Sequence, residues 1–189
     1  MAVPPVFVSG QILTAAQMNA IGLWEIQTAS FTTSSAETYT CFTSDYDNYR
    51  IVLTITAMSS TNADIAFQLG NSGTFANTNY GYFSSFVLQN STQGIWLVQN
   101  FNASGHWMIQ GGGDKMPAVC DMTMFGPFLA RETRTTSNHY ISYLTSGVQT
   151  RALINLAGGH GTSTSYSQLR IAPNTGTMTG SISIYGMRP

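Results

Sequence analysis

Three histidines, at positions 106, 139 and 160, carry the side chains best suited to acid–base catalysis or metal binding. His139 follows Ser137 by two positions, and Asp121 could complete a Ser–His–Asp triad, which is defined in space rather than by order in the chain. No G-x-S-x-G elbow marks a nucleophilic serine, and no histidine stands at ligand spacing from another metal-binding side chain. We therefore predict no catalytic residue, no metal site and no cofactor, in a protein that is not an enzyme.

Two other stretches approach the patterns of ligand-binding loops without completing them. Residues 158–163 read GGHGTS and lack the lysine of a phosphate-binding G-x-x-x-x-G-K-[ST] loop, so we predict a flexible hairpin loop there. Residues 45–48 read DYDN, which does not continue into a calcium-binding loop and is typical of a turn before a strand. If the protein were an enzyme after all, the alternative that we consider is a polysaccharide depolymerase, which would need two acidic residues facing one cleft. No pair among the eight acidic residues is marked for that role, and we expect no such activity.

Aromatic residues concentrate in the middle of the chain, and their rings could serve either of two purposes. Aromatic faces suit sugar stacking, and they equally suit a protein core or a subunit interface. We favour the core and the subunit interface, and we keep a glycan as the alternative ligand. The candidate contact residues are Tyr80, Tyr82, Trp96 and Trp107.

The elements that would position these side chains are mostly strands. From residue 23 onward apolar and polar residues alternate with a period of two, and the clearest runs are residues 49–57, 65–69, 120–124 and 181–185. Clusters of Gly, Pro, Ser and Asn separate the runs, and no second amphipathic helix interrupts them. We therefore predict an all-β protein, an antiparallel β-sandwich or jelly roll, with residues 23–189 forming one domain.

One short helix is predicted ahead of the strands. Thr14 is a suitable N-cap, and Gln17, three residues on, completes a T-x-x-Q capping box. Leu13 and Met18 have the spacing of a hydrophobic staple, and the glycine at position 22 can end the helix. The expected helix, residues 15–21, has two turns and a length of roughly 10 Å.

Such a short helix needs another surface to dock on, because helix nucleation is costly and two turns are marginally stable alone. Pro4 and Pro5 favour an extended lead before it. We therefore predict that residues 1–22 form an N-terminal arm that anchors the chain. The predicted anchoring or interface residues are Val6, Phe7, Leu13, Thr14, Gln17, Met18 and Ile21.

The composition favours a protein that packs against copies of itself. Hydrophobic residues make up 43% of the chain and charged residues only 8%, against roughly 25% charged residues in typical soluble proteins. A surface with few charges can be buried without the cost of desolvating unpaired ions. The net charge of −1 and the lack of a basic block argue against nucleic-acid binding, and no apolar run is long enough for a membrane span. Cys41 and Cys120 are expected to be reduced and buried in strands.

The N-terminal stretch GQILTAAQMNAIG, residues 10–22, resembles a motif at the N-terminus of small structural proteins of tailed bacteriophages. In that motif an aromatic residue and a glycine are usually followed by LTAADLN or a close variant. Here Gln17 and Met18 replace the acidic residue and the leucine. The strings SDYDNYRI (residues 44–51) and GSISIYGM (residues 180–187) are also similar to sequences in such virion proteins. The resemblance implies a component of a phage particle, and the sandwich domains of such proteins are commonly trimeric.

The resemblance and the composition together imply a non-enzymatic virion structural protein made in the host bacterial cytoplasm. The first ten residues lack the layout of a signal peptide, which agrees with that expectation. We expect a homotrimeric capsid decoration (cement) protein whose arm binds the major capsid protein or a neighbouring subunit. The alternative is a short tail fibre or tail appendage protein, with its arm on a tail protein and its β domain on host-surface glycan. Neither nucleic acid nor membrane is an expected partner.

Overall fold

The computed structural model describes residues 22–60, 63–89, 95–104, 107–109, 118–145 and 148–187. These residues form two antiparallel β-sheets and contain no helix. Their strands are β1 (Trp24–Ser34), β2 (Glu37–Thr40), β3 (Asn48–Met58), β4 (Ile65–Asn71), β5 (Thr74–Phe75), β6 (Tyr80–Gln89), β7 (Ile95–Ser104), β8 (Trp107–Ile109), β9 (Ala118–Phe125), β10 (Thr133–Thr145), β11 (Val148–His160), β12 (Gln168–Pro173) and β13 (Met178–Met187).

Eight strands form the larger sheet, in the order β1-β13-β3-β9-β10-β11-β6-β7. The smaller sheet has the order β2-β12-β4-β5, and β8 also pairs with β4. The last strand of the described chain, β13, lies between β1 and β3. The first and last strands are therefore neighbours, and β1 is an edge strand of the larger sheet.

The alternation of apolar and polar residues in the sequence corresponds to strands with one buried face. Ile51, Leu53 and Ile55 of β3 are buried, and the intervening positions of this strand are less buried. The same alternation buries one face of β9 and β13, and the smaller sheet adds residues of β4 to the same cluster. Among the buried side chains of these three strands are Cys120, Met122, Met124, Ile182, Ile184, Ile65, Phe67 and Leu69. The all-β class is thus confirmed, with a hydrophobic core to which both sheets contribute.

Both cysteines are free and buried, as predicted. Cys120 lies within β9, whereas Cys41 lies one residue beyond the end of β2 rather than inside a strand. Burial raises the pKa of each thiol well above its ordinary value, because the core solvates a thiolate poorly. The two thiols are therefore neutral packing groups.

The prediction of a loop at residues 158–163 is wrong for its first half. Gly158, Gly159 and His160 are the last residues of β11, and they pair with both β10 and β6. A Cβ atom on Gly159 would come within 2.8 Å of the Glu132 Oε1 atom. The Glu132 side chain thus packs directly on Gly159, in a strand position that glycine's propensity disfavours.

The inward face of β10 is polar, which the sequence pattern does not predict. Thr133, Thr135, Ser137 and His139 alternate along the strand, and all four are buried. The Thr135 hydroxyl donates a 3.0 Å hydrogen bond to the Thr123 carbonyl oxygen, and His139 Nε2 lies 2.7 Å from Ser137 Oγ. These bonds satisfy part of the polar row inside an otherwise apolar core.

Candidate functional site

The predicted anchoring residues do not belong to the part of the chain that the structure describes, which begins at residue 22. Outside it lie Val6, Phe7, Leu13, Thr14, Gln17, Met18 and Ile21. The predicted helix over residues 15–21 lies outside it as well and stays a prediction. The structure does place Trp24, which pairs with Gly186 of β13 and lies 6.2 Å from Tyr46 between ring centroids. The predicted arm therefore ends close to the start of an edge strand of the larger sheet.

The aromatic residues predicted as glycan or subunit contacts belong to different parts of the fold. Tyr80 and Tyr82 both point inward from β6 and are buried. Trp96 lies in β7 of the larger sheet and Trp107 in β8 of the smaller one, and the side chains of both lie outside the description. In this structure the two tyrosines are core residues that offer no open ring face to a sugar.

His160 lies at the centre of a buried polar cluster at the end of β11. Its Nε2 atom is 3.1 Å from the Thr78 carbonyl oxygen, and its Nδ1 atom is 3.0 Å from Thr162 Oγ1. The ring also makes edge contacts with Tyr80 and Tyr166, at centroid distances of 4.4 and 5.2 Å. Burial lowers the pKa of His160, against the opposing effect of the bond to Thr78. A neutral ring with both nitrogens engaged stabilises the connection from β11 to β12.

The three residues of the candidate triad do not assemble. Ser137 and His139 are in contact on the buried face of β10. Asp121 is partly exposed, and its carboxylate accepts bonds of 2.9 and 2.6 Å from the Arg50 guanidinium. This bidentate pairing lowers the pKa of Asp121. The carboxylate needed to orient the imidazole is therefore engaged elsewhere.

We expect acid to destabilise the fold through His139. Burial lowers the pKa of this imidazole from 6.5 to about 4, so between these values the unfolded chain binds a proton that the folded chain does not. This contribution to the free energy of unfolding is complete above about pH 6.5 and is lost as the pH falls towards 4. By linkage the loss is about 2 kcal/mol between about pH 7.5 and pH 5, measured by urea unfolding at both pH values.

His139→Gln is the control for this effect, because an amide can still bond to Ser137 but does not titrate. The variant should show a pH dependence smaller by about 2 kcal/mol, whatever its absolute stability. An equal pH dependence in the two proteins would contradict the assignment to His139.

A row of exposed apolar side chains crosses the outer face of the larger sheet, the face turned away from the core. Val87 pairs with Leu153, Leu153 with Tyr140, and Tyr140 with Val119, on the adjacent strands β6, β11, β10 and β9. The four residues, which we call the apolar row, are between 37% and 46% exposed. Paired residues of neighbouring antiparallel strands have Cβ atoms roughly 5 Å apart, so the row is continuous over about 14 Å.

The surroundings of the apolar row carry little uncompensated charge. The row itself is uncharged, and the nearby Asp121 is neutralised by its bidentate pair with Arg50. Arg151, two residues before Leu153, stands at the margin of the row and is exposed. An apolar centre with a polar margin is the usual anatomy of a protein interface.

No protein-family model matches the chain, and a search of curated proteins likewise finds no match. No helix in the described ranges has the length and apolar character needed to cross a membrane. Within the same ranges, His, Cys, Asp and Glu side chains do not gather in groups of three or more that could hold a metal ion.

The apolar row is the feature that sequence reasoning missed. Each of its members is a single apolar residue at an outward position of its strand, and only the strand order and register bring them together. The one signal in the sequence is Leu153, which interrupts the alternation between buried Ala152 and buried Ile154.

Proposed function

We propose that this chain is a non-enzymatic structural subunit of a tailed-bacteriophage particle that self-associates through the apolar row. Its most specific form is a homotrimeric capsid decoration protein, held by its N-terminal arm to the major capsid protein or a neighbouring subunit. The apolar row carries the self-association part of the proposal. The phage assignment is supported by the resemblance of residues 10–22 to the arms of virion proteins.

Exposed apolar side chains that adjoin on four strands form a contiguous apolar surface, and such surfaces are typical of protein interfaces. A second copy of the chain is the occupant that fits best. Because the row is uncharged, copies related by symmetry can bring it against each other without like-charge repulsion. A chain with only 8% charged residues also leaves few ions to desolvate at such an interface.

The finer fold belongs to the same proposal. We infer that the two sheets form a β-sandwich of the jelly-roll kind, since residues of both supply one buried cluster. We further propose that residues 1–22 form an arm with a helix over residues 15–21, supported by the capping box of Thr14 and Gln17.

Deletion of residues 1–22 tests attachment separately from self-association. The shortened chain should keep its β-sheet circular dichroism and its oligomeric mass but lose binding to capsids stripped of this protein. The reason is that a two-turn helix is ordered only when docked, so its contacts are made with the partner. Co-sedimentation with stripped capsids measures the loss, with the full chain as control. Full retention of capsid binding would remove the arm from the mechanism.

A further inference from the structure

A cleft of about 390 Å³ opens at one end of the outer face of the larger sheet. Its walls are Phe125 at the end of β9, Arg134 near the start of β10, and Arg131 and Glu132 from the connection between these strands. Phe125 and Arg134 are cross-strand partners, so strand pairing fixes their relative positions. The volume is within the range of small-molecule sites, about 300–1,000 Å³.

Two glycines leave room for two charged side chains of the cleft to pack against the backbone. A Cβ atom on Gly126 would come within 2.9 Å of Arg131 Nε, and one on Gly159 within 2.8 Å of Glu132 Oε1. The guanidinium and the carboxylate each therefore lie directly on a glycine, where a larger residue would displace them. Gly126 also has a φ of +65° and donates a 2.8 Å backbone hydrogen bond to the Asp47 carbonyl oxygen, which fixes the start of the connection.

The cleft carries one net positive charge beside an aromatic ring. Glu132 Oε2 lies 3.3 Å from Arg134 Nη2, which makes an exposed ion pair. Arg131 forms no ion pair with any residue of the described ranges. Phe125 is 39% exposed. The site therefore combines an unpaired guanidinium, a carboxylate that can accept hydrogen bonds, and an apolar ring.

We propose that this cleft binds a carboxylate-bearing sugar residue. The carboxylate of the sugar accepts two parallel hydrogen bonds from the Arg131 guanidinium. This bidentate arrangement is the one in which arginine binds carboxylates most strongly. The sugar hydroxyls donate hydrogen bonds to Glu132, and its C–H face lies on the Phe125 ring. Glu132 is what favours a sugar acid, since its carboxylate can accept hydrogen bonds from the hydroxyl groups beside the sugar carboxylate, and an acidic peptide side chain has no such hydroxyl groups.

The cleft and the apolar row lie at opposite ends of β9. Phe125 is six residues beyond Val119, or about 20 Å at the rise of a β-strand. Ligand binding therefore leaves the apolar row free. The test of sugar binding and the test of self-association can then fail independently of each other.

Calorimetric titration of the full chain with a glucuronate-containing oligosaccharide tests the site, beside the same oligosaccharide with its carboxyl groups reduced to alcohols. We expect binding of the first only, weakened about tenfold or more by Arg131→Gln. Arg151→Gln removes an exposed arginine from β11 and should leave the affinity unchanged. The unfolding midpoint of each variant checks that the fold is intact.

Glu132→Gln separates a sugar acid from other anions. This change should weaken uronate binding several-fold, because the loss of a charged acceptor for the sugar hydroxyls outweighs the relief of repulsion between the two carboxylates. It should strengthen any binding of poly-glutamate or inorganic phosphate, because like-charge repulsion is removed. Three results would overturn the proposal: no uronate binding, equal binding of the reduced oligosaccharide, or tighter uronate binding by the Glu132→Gln variant.

Discussion

Replacement of Leu153 by glutamate is expected to turn the self-associated chain into a folded monomer. Leu153 lies in the apolar row between Val87 and Tyr140, so any interface on the row must bury this position. A carboxylate there loses its water with no partner, and such an unpaired buried charge costs several kcal/mol. At about 1.4 kcal/mol per tenfold, the self-affinity should fall at least 100-fold. Sedimentation velocity over a range of concentrations measures this fall.

Ser30→Glu is the matched control for the Leu153 variant. Ser30 is also exposed on an outward position of the larger sheet, but it lies on β1, three strand spacings beyond Val119. The Ser30→Glu variant should have the same oligomeric mass as the parent chain. Since residue 153 is exposed in a single chain, Leu153→Glu should also keep the β-sheet circular dichroism spectrum. If the Leu153→Glu variant forms the same oligomer as the parent chain, the interface lies on a surface other than the apolar row.

Substitution of Gly180 by alanine should lower the free energy of unfolding by about 3 kcal/mol or more. An added Cβ atom would lie 2.1 Å from the Thr54 carbonyl oxygen and 3.1 Å from the Ile55 Cα atom. Both are backbone atoms of β3, the strand next to β13, so they cannot move without breaking the ladder. The register between β13 and β3 already shifts at Thr179 and Gly180, where the strands approach. Urea unfolding measures the change.

Gly161→Ala is the control for Gly180. A Cβ atom on Gly161 would meet only the Asn79 carbonyl oxygen, at 3.9 Å, which is an ordinary contact. Its free energy of unfolding should stay within about 0.5 kcal/mol of the parent value. A mild effect at Gly180, similar to that at Gly161, would show that β3 and β13 are less closely apposed than the structure has them.

Strand content could be predicted from sequence because a period of two reports one buried face without reference to what covers it. The runs around Ile51, Met122 and Ile184 all read this way, and all three residues are buried. The strand order could not be predicted, because β13 inserts between β1 and β3 through contacts between residues far apart in the chain. The glycines at 158 and 159 misled the prediction, since both pair with β10 and β6 although glycine has a low strand propensity.

The candidate sites were harder to predict than the strands. Proximity in the sequence grouped Tyr80 and Tyr82 as a contact surface, but alternate positions of one strand share a face, and in β6 that face is the core. Phe83, the residue after Tyr82 in β6, points to the opposite face and is exposed. The polar inward face of β10 gave no hydrophobic period, so its burial depends on cross-strand neighbours. Arg131 and Arg134 are close in the chain, but Gly159, on which Glu132 packs, reaches the cleft only through the fold.

The mass of the unmodified chain in solution tests self-association most directly. The chain has a mass of 20.4 kDa, and light scattering at micromolar concentration should give three times that value for the proposed trimer. The apolar row would then be covered by other copies of the same surface. A single natively folded species of 20.4 kDa, even at tens of micromolar, would contradict the account.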